Sequence, residues 1–225
     1  MSHLLALSIG PVQEFIAAAR RTADLQAGSE LLVEIAKAAA AVVAKHGTLI
    51  FPAHPELDGP NKILAIIPKD DPADVARKAK EAARERLRTF WEDVKRDPKL
   101  RDLVHWDRAE RQIDQFLEFY AAWVPQGEDY ATARKTVDRL LAGRKALREF
   151  RQPEQVTKVP KSPLDPARDC VLRVTDKLAV PKAAQRYQLW LKHRETLDAV
   201  SILKRHRGVT GASGRVAGTP STSLM

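Results

Sequence analysis

Few residues in this chain have the types and spacing that chemistry requires. Gly28-Ser29 precedes a long Ala- and Leu-rich stretch. Such a pair can leave backbone amides exposed at a helix start, where they hold phosphate, and the glycine lets a ligand approach the backbone closely. A plain N-cap, worth about 1 kcal/mol, would account for Ser29 as well. Gln13 follows a Gly-Pro turn, where it could meet a base or a neighbouring subunit, or simply fix the turn. Arg20 and Asp24 are four apart, the spacing of an ordinary helix ion pair. Lys204, Arg205, His206 and Arg207 form a dense basic run suited to RNA phosphate, although cations at a helix C-terminus are also locally favourable. Asp70-Asp71 is the one Asp-Asp pair. It stands between Lys69 and Pro72, the context of a helix cap rather than of a metal site. The lone Cys170 and the six scattered histidines offer no zinc or multi-histidine ligand set.

The composition limits the classes further. With 44% hydrophobic residues in 225, a sizeable core can form. The net charge of +9 is uneven. Residues 131–225 hold 20 Lys and Arg against 8 Asp and Glu, whereas residues 1–130 hold 18 against 21. The second part is therefore the candidate for contact with RNA or an acidic partner, because fixed cations displace condensed counterions from a phosphate backbone. A single cysteine fits a reducing cytoplasm. No apolar run is long enough to span a bilayer.

The elements follow from periodicity and punctuation. Leu4–Ile9 reads as a buried strand ended by Gly10-Pro11. Val12–Ala23 reads as a helix, broken at Gly28-Ser29, with a second helix capped by Ser29 and running to about His46. Thr48–Phe51 and Ile63–Ile67 read as a strand pair. Asp71-Pro72 opens a charged helix to about Lys95; another helix is expected over Leu100–Gln115 and a strand over Phe116–Val124. This order is the βαββαβ arrangement of a ferredoxin-like fold. A basic helix is expected over Asp129–Gln152, a Pro-rich loop over 153–166, a helix over Ala183–His206, and a Gly-, Ser- and Thr-rich tail after Gly208. The class is thus α+β, with residues 1–127 as the ferredoxin-like domain and 128–225 as a mostly helical basic segment.

The segment Ile9-Gly10-Pro11-Val12-Gln13-Glu14-Phe15-Ile16, followed by Ala19-Arg20, Asp24-Leu25, Gly28-Ser29 and Leu31-Leu32, resembles the opening of the first Palm domain in the large subunit of type III CRISPR effectors, Cmr-type branch. Weaker resemblances follow at Pro60-Asn61-Lys62, Trp123 with Pro125, Arg144-Lys145 with Arg148 and Phe150, Leu197–Val200 with Leu203-Lys204-Arg205, and Pro220–Ser223. The sequence departs from the family at Gln26, where Trp is usual, and at Val33, where Ser is common. It also has Lys-Ser-Pro-Leu-Asp over 161–165, where many members carry a cysteine-rich zinc element, so no zinc is expected.

The resemblance implies a subunit of a guide-RNA complex that senses target RNA and makes cyclic oligoadenylates from ATP with Mg or Mn. Its partners would be other type III subunits, guide and target RNA, and a second Palm domain in cis or in trans. The family's catalytic Gly-Gly-Asp-Asp does not occur in these 225 residues, so no catalytic residue is expected in this chain. The matching positions Gln13, Arg20, Asp24, Gly28 and Ser29 would form one wall of the nucleotide pocket, and Lys204, Arg205 and Arg207 would meet RNA. A non-catalytic scaffold and RNA-binding module is the alternative.

Overall fold

A computed structural model describes residues 1–58, 61–127, 129–147, 158–173, 191 and 195–210. Most of the helix expected over 183–206, the tail from 211 onward, and the motif positions Pro60, Arg148, Phe150 and Pro220–Ser223 lie outside the described residues. The elements are β1 (His3–Gly10), α1 (Gln13–Ala17), α2 (Thr22–His46), β2 (Thr48–Phe51), β3 (Lys62–Ile67), α3 (Pro72–Arg96), α4 (Trp106–Asp114), β4 (Glu118–Pro125), α5 (Tyr130–Ala146) and α6 (Ala199–Thr210). They form two compact units: 1–12, 32–87 and 117–151 in the first, 13–31, 88–116 and 152–225 in the second.

The first unit holds a four-stranded antiparallel sheet in the order β2-β3-β1-β4. With the helices between β1 and β2 and between β3 and β4, this is the expected split βαββαβ topology, and the fold is α+β. The central strand β1 is buried on both faces. Leu4 and Ala6 join Leu64, Ala122 and Val124 in a core closed by Ala133, Val137 and Leu141 of α5. Leu5, Leu7, Ile9, Ile63 and Ile67 are equally dry on the opposite side. The buried stripes Ile35-Ala39-Val43 of α2 and Val75-Ala79-Ala83 of α3 remain to cover them. An Arg86–Glu34 bond of 2.6 Å ties those two helices.

Two motif positions serve this sheet. Asn61 exchanges two 2.8 Å bonds with Ile9, its backbone oxygen accepting from the Ile9 amide and its side chain donating to the Ile9 carbonyl. Lys62 donates to Asp138 at 2.7 Å and so fastens α5 to β3. Asp71 caps α3 through the Ala73 amide at 3.0 Å, while Asp70 pairs with His46 at 2.6 Å. The Asp-Asp pair is thereby used in capping and pairing. Among the described residues no group of three or more ligating side chains could hold one, and no helix is long and apolar enough to cross a membrane.

Several expected boundaries change. Helix α1 ends at Ala17, and α2 begins at Thr22 and runs through Gly28-Ser29 without a break. Ser29 therefore caps nothing. Residues 98–103 are turns, and α4 starts only at Trp106. Residues 195–198 are not helical, so α6 starts at Ala199. At the end of α1 a long-range contact, from Lys204, outweighs local propensity, which is a difference of only about 1 kcal/mol even for glycine.

At the end of α2 the space is tighter. A Cβ on Gly47 would lie 2.2 Å from the Ile66 carbonyl oxygen and 2.7 Å from Ile67 Cδ1. Gly47→Ala is expected to destabilise the chain by about 3 kcal/mol through forced displacement of β3. Urea denaturation checks this; a midpoint equal to that of the parent chain would contradict the packing.

Candidate functional site

All eight residues singled out for binding lie in the second unit. They do not form one exposed pocket. Asp24, Gly28, Lys204 and Arg205 are buried together, Arg207 is half-buried, and Gln13, Arg20 and Ser29 are exposed.

The buried set is built by α6 against α1 and the first two turns of α2. Lys204 is only 1% exposed. Its ammonium donates to the Phe15 carbonyl at 2.6 Å and to the Ala18 carbonyl, and sits 4.7 Å from the centre of the Phe15 ring. The Phe15 ring in turn leans on Phe116, with centroids 4.8 Å apart. A continuing helix would pass the Phe15 carbonyl to the amide of Ala19. That amide instead turns to the Ala17 carbonyl at 2.7 Å. Lys204 thus takes a helical hydrogen-bond acceptor, and α1 stops in a run of alanines that would otherwise extend it. Gly28 is needed for the same reason. A Cβ there would stand 3.0 Å from Lys204 Cδ and 3.4 Å from the Phe15 ring.

One residue on, Arg205 donates from Nε to Asp24 Oδ2 at 2.9 Å. Its terminal nitrogens reach Glu195 at 3.4 and 3.5 Å. Arg21 faces Asp24 from the outer side at 3.8 Å. The expected Arg20–Asp24 pair does not form; Asp24 uses Arg205 and Arg21 instead. At the end of α6, a Cβ on Gly208 would come within 3.0 Å of the Ala23 carbonyl oxygen, so the helices nearly touch there. Asp198 starts α6, accepting from the Ser201 amide at 2.9 Å and from the hydroxyls of Ser201 and Ser162 at 2.6 Å. Gln112 of α4 accepts from the Ala199 amide at 2.9 Å and donates to the Asp169 carbonyl at 2.8 Å.

Lys204, Arg205 and His206 of the basic run are therefore not offered to phosphate at the surface of α6. Lys204 and Arg205 are enclosed, and their hydrogen-bonding capacity is directed at carbonyls and carboxylates within the unit. The Arg207 guanidinium lies 4.3 Å from the Phe90 ring centre, and His206 is buried 3.6 Å from Asp97. Burial lowers the His206 pKa more than Asp97 raises it. Cys170 is buried with its thiol toward the Leu172 carbonyl, and burial pushes its pKa up. The signal that could have shown the lock in the sequence is the pair of matched spacings: Asp24 and Gly28 on one helix, Lys204, Arg205 and Gly208 on the other.

The comparisons accord with this architecture. Residues 4–57 match the family model for CRISPR-associated protein Cmr2, N-terminal. The matched stretch covers β1, α1, α2 and β2, and it contains the segment whose motifs resemble that family. The fold is shared with a chain of the type III-B Cmr-beta complex in its apo state, at TM-score 0.60 and 13% identity over 92% of this chain and 32% of that one. It is shared also with a chain of Cmr-beta bound to cognate target RNA, at TM-score 0.57 and 12% identity over the same shares. The chain spans about a third of the length of those solved chains. No curated protein matches it.

Two outcomes test the buried lock. Arg205→Met leaves Asp24 and Glu195 as enclosed anions, and a loss of about 3 kcal/mol or more is expected. Calorimetry that finds the parent Tm would remove the ion pair from the core. Burial also takes the Lys204 pKa from 10.5 down to about 8, against the opposing pull of Asp198 and Asp24. Between those values the unfolded chain binds more protons than the folded one, so the contribution of this group to stability rises with pH from about 8 to 10.5. In Lys204→Met that rise should be absent when urea midpoints are compared across the same window.

Proposed function

We infer that this chain is the N-terminal Palm part of the large subunit of a type III CRISPR effector, a complex in which guide RNA selects target RNA. The observation that carries this reading is the Cmr2-type match over residues 4–57, which coincides with the first half of a ferredoxin-like sheet. The likeness of fold to Cmr-beta chains over 92% of its length supports it. In such a subunit the chain would bind neighbouring effector subunits. A second Palm domain carrying the paired carboxylates would complete the site for cyclic oligoadenylate synthesis from ATP.

The part this chain plays at that site is positioning. Asp24 and Gly28 act from inside the protein, fixing the course of α1, the 18–21 turn and the start of α2. The groups left to face nucleotide are the exposed side chains of Gln13, Arg20 and Ser29. Arg20 would meet phosphate, and Gln13 and Ser29 would accept or donate neutral hydrogen bonds. Mg or Mn would come with the nucleotide and the second Palm, since no residue cluster described here suits it.

Isolation of the tagged chain from its own host, followed by native mass spectrometry, tests the assignment. Co-isolation with several subunits and a short RNA is expected. A bare monomer in repeated preparations would count against an effector subunit. Within an isolated complex, Arg20→Ala should lower oligoadenylate synthesis about tenfold, the effect of losing one charge-assisted hydrogen bond, with the complex still assembled. Undiminished synthesis would remove Arg20 from the nucleotide wall.

A further inference from the structure

Of the cations expected to meet RNA on α6, Lys204 and Arg205 are enclosed, whereas α5 presents exposed ones. Between Tyr130 and Ala146 this helix carries Arg134, Lys135, Arg139, Arg144 and Lys145 against one acid, Asp138. Asp138 is engaged twice, by Lys62 at 2.7 Å and by Arg134 at 2.8 Å. Lys135, Arg139, Arg144 and Lys145 are all exposed, and no described residue pairs with them. The contrast is with α3, an equally charged helix that pairs its own side chains. There Arg77 bridges Asp74 and Glu81, Lys78 meets Asp74, and Lys95 meets Glu92.

Local effects do not explain this arrangement. Arg144 and Lys145 stand in the last turn, where the helix dipole favours cations, but Lys135 and Arg139 lie in the middle, where it does not. Those two share the outer face at i,i+4, opposite the buried Ala133, Val137 and Leu141. Gly143 follows one turn later. A Cβ there would meet nothing within 4 Å, so packing within the chain does not require glycine at that point. A glycine at the start of the last turn without an internal reason leaves room for a backbone to approach from outside.

We propose that the exposed cations of α5, Lys135 and Arg139 on its outer face and Arg144 and Lys145 round its C-terminal turn, bind the phosphodiester backbone of single-stranded RNA. Around Lys135 and Arg139 the face carries small side chains, Thr132, Thr136 and Ala142, while the exposed Tyr130 lies on the Val137 side of the first turn, so the face contacts phosphate and does not read bases. It holds the strand irrespective of sequence, with an affinity that falls steeply with salt. The proposal deepens the effector reading by naming a surface for its RNA. It is tested on the purified chain, so its outcome is independent of co-isolation.

The experiment measures fluorescence anisotropy of a labelled mixed-sequence 30-nucleotide RNA against the parent chain and K135Q/R139Q/R144Q/K145Q, from low to moderate salt. With about 0.7 of log–log salt slope per contact, the variant should lose about 3 from the slope and bind at least tenfold more weakly at low salt. R139K/R144K, which keeps the charge, should bind within about threefold of the parent, because a phosphate contact of this kind needs only a cation. Circular dichroism confirms that the variants fold. In the parent chain itself, RNA should protect Lys135 and Lys145 from an amine-acetylating reagent. Equal slope and affinity in the fourfold variant, or unprotected lysines, would overturn the proposal. So would unchanged RNA binding accompanied by loss of an acidic protein from the isolated complex, which would assign the face to that protein.

Discussion

The second unit depends on one buried ammonium. Lys204 arrives from the far end of the sequence and supplies Phe15 and Ala18 with the donor that a continuous helix would have supplied. The interaction stops α1 and sets the 18–21 turn, and Gly28 leaves space for the side chain that makes it. Burying a lysine is unfavourable unless its donors are satisfied, and here two carbonyls and the face of Phe15 receive them. Arg205 repeats the arrangement one residue later with carboxylates, so two adjacent cations fix α6 against two different parts of the chain. Asp198 and Gln112 then hold the first turn of α6 from two further directions. Register between distant segments is a recognised use of buried polar groups, and the close approaches at Gly28 and Gly208 leave α6 little freedom to slide.

The sheet was legible in the sequence because its signals are local. Alternating or continuous apolar runs bounded by Gly and Pro gave all four strands, and Asp71-Pro72 marked the start of α3. The errors have one cause. Local propensity makes Gly28-Ser29 a break and Ala18–Arg20 helix, since propensity is all that a local window contains. The structure reverses both, because the deciding atoms belong to Lys204. Similarly, the start of α6 depends on Asp198, whose capping role shows only when Ser162 and Ser201 are seen around it. The placement of α5 on the open face of the sheet was also hidden. Its buried positions Ala133, Val137 and Leu141 show a stripe but not what the stripe covers.

The candidate site was legible as a set of residues, but not in its roles. The motif segments around Phe15, Asp24 and Gly28 and those around Lys204 and Arg205 had been separate resemblances, one assigned to nucleotide and the other to RNA. In the structure they are the two sides of a single contact. Asn61 and Lys62 are similar, one completing the end of β1 and the other anchoring α5. A motif identifies a fold through whichever residues the fold cannot change, and those are often the ones that set backbone course and helix contact.

This separation of roles bears on where function resides. If the motif residues were the ligand contacts, their burial would leave the chain without a binding surface. If they are the frame, contact with ligands falls to side chains that the frame presents, and those can vary more freely between relatives. Charge follows the second pattern. Lys204 and Arg205 of α6 are enclosed and compensated, whereas Lys135, Arg139, Arg144 and Lys145 of α5 are exposed on a helix whose only acid is already paired with Lys62 and Arg134. A cation used inside a protein must have its carbonyl or carboxylate in place. A cation meant for a polyanion must lack one until the polyanion arrives. By that criterion the enclosed cations of α6 and the exposed ones of α5 have opposite uses, and only burial and pairing, not composition, tell them apart.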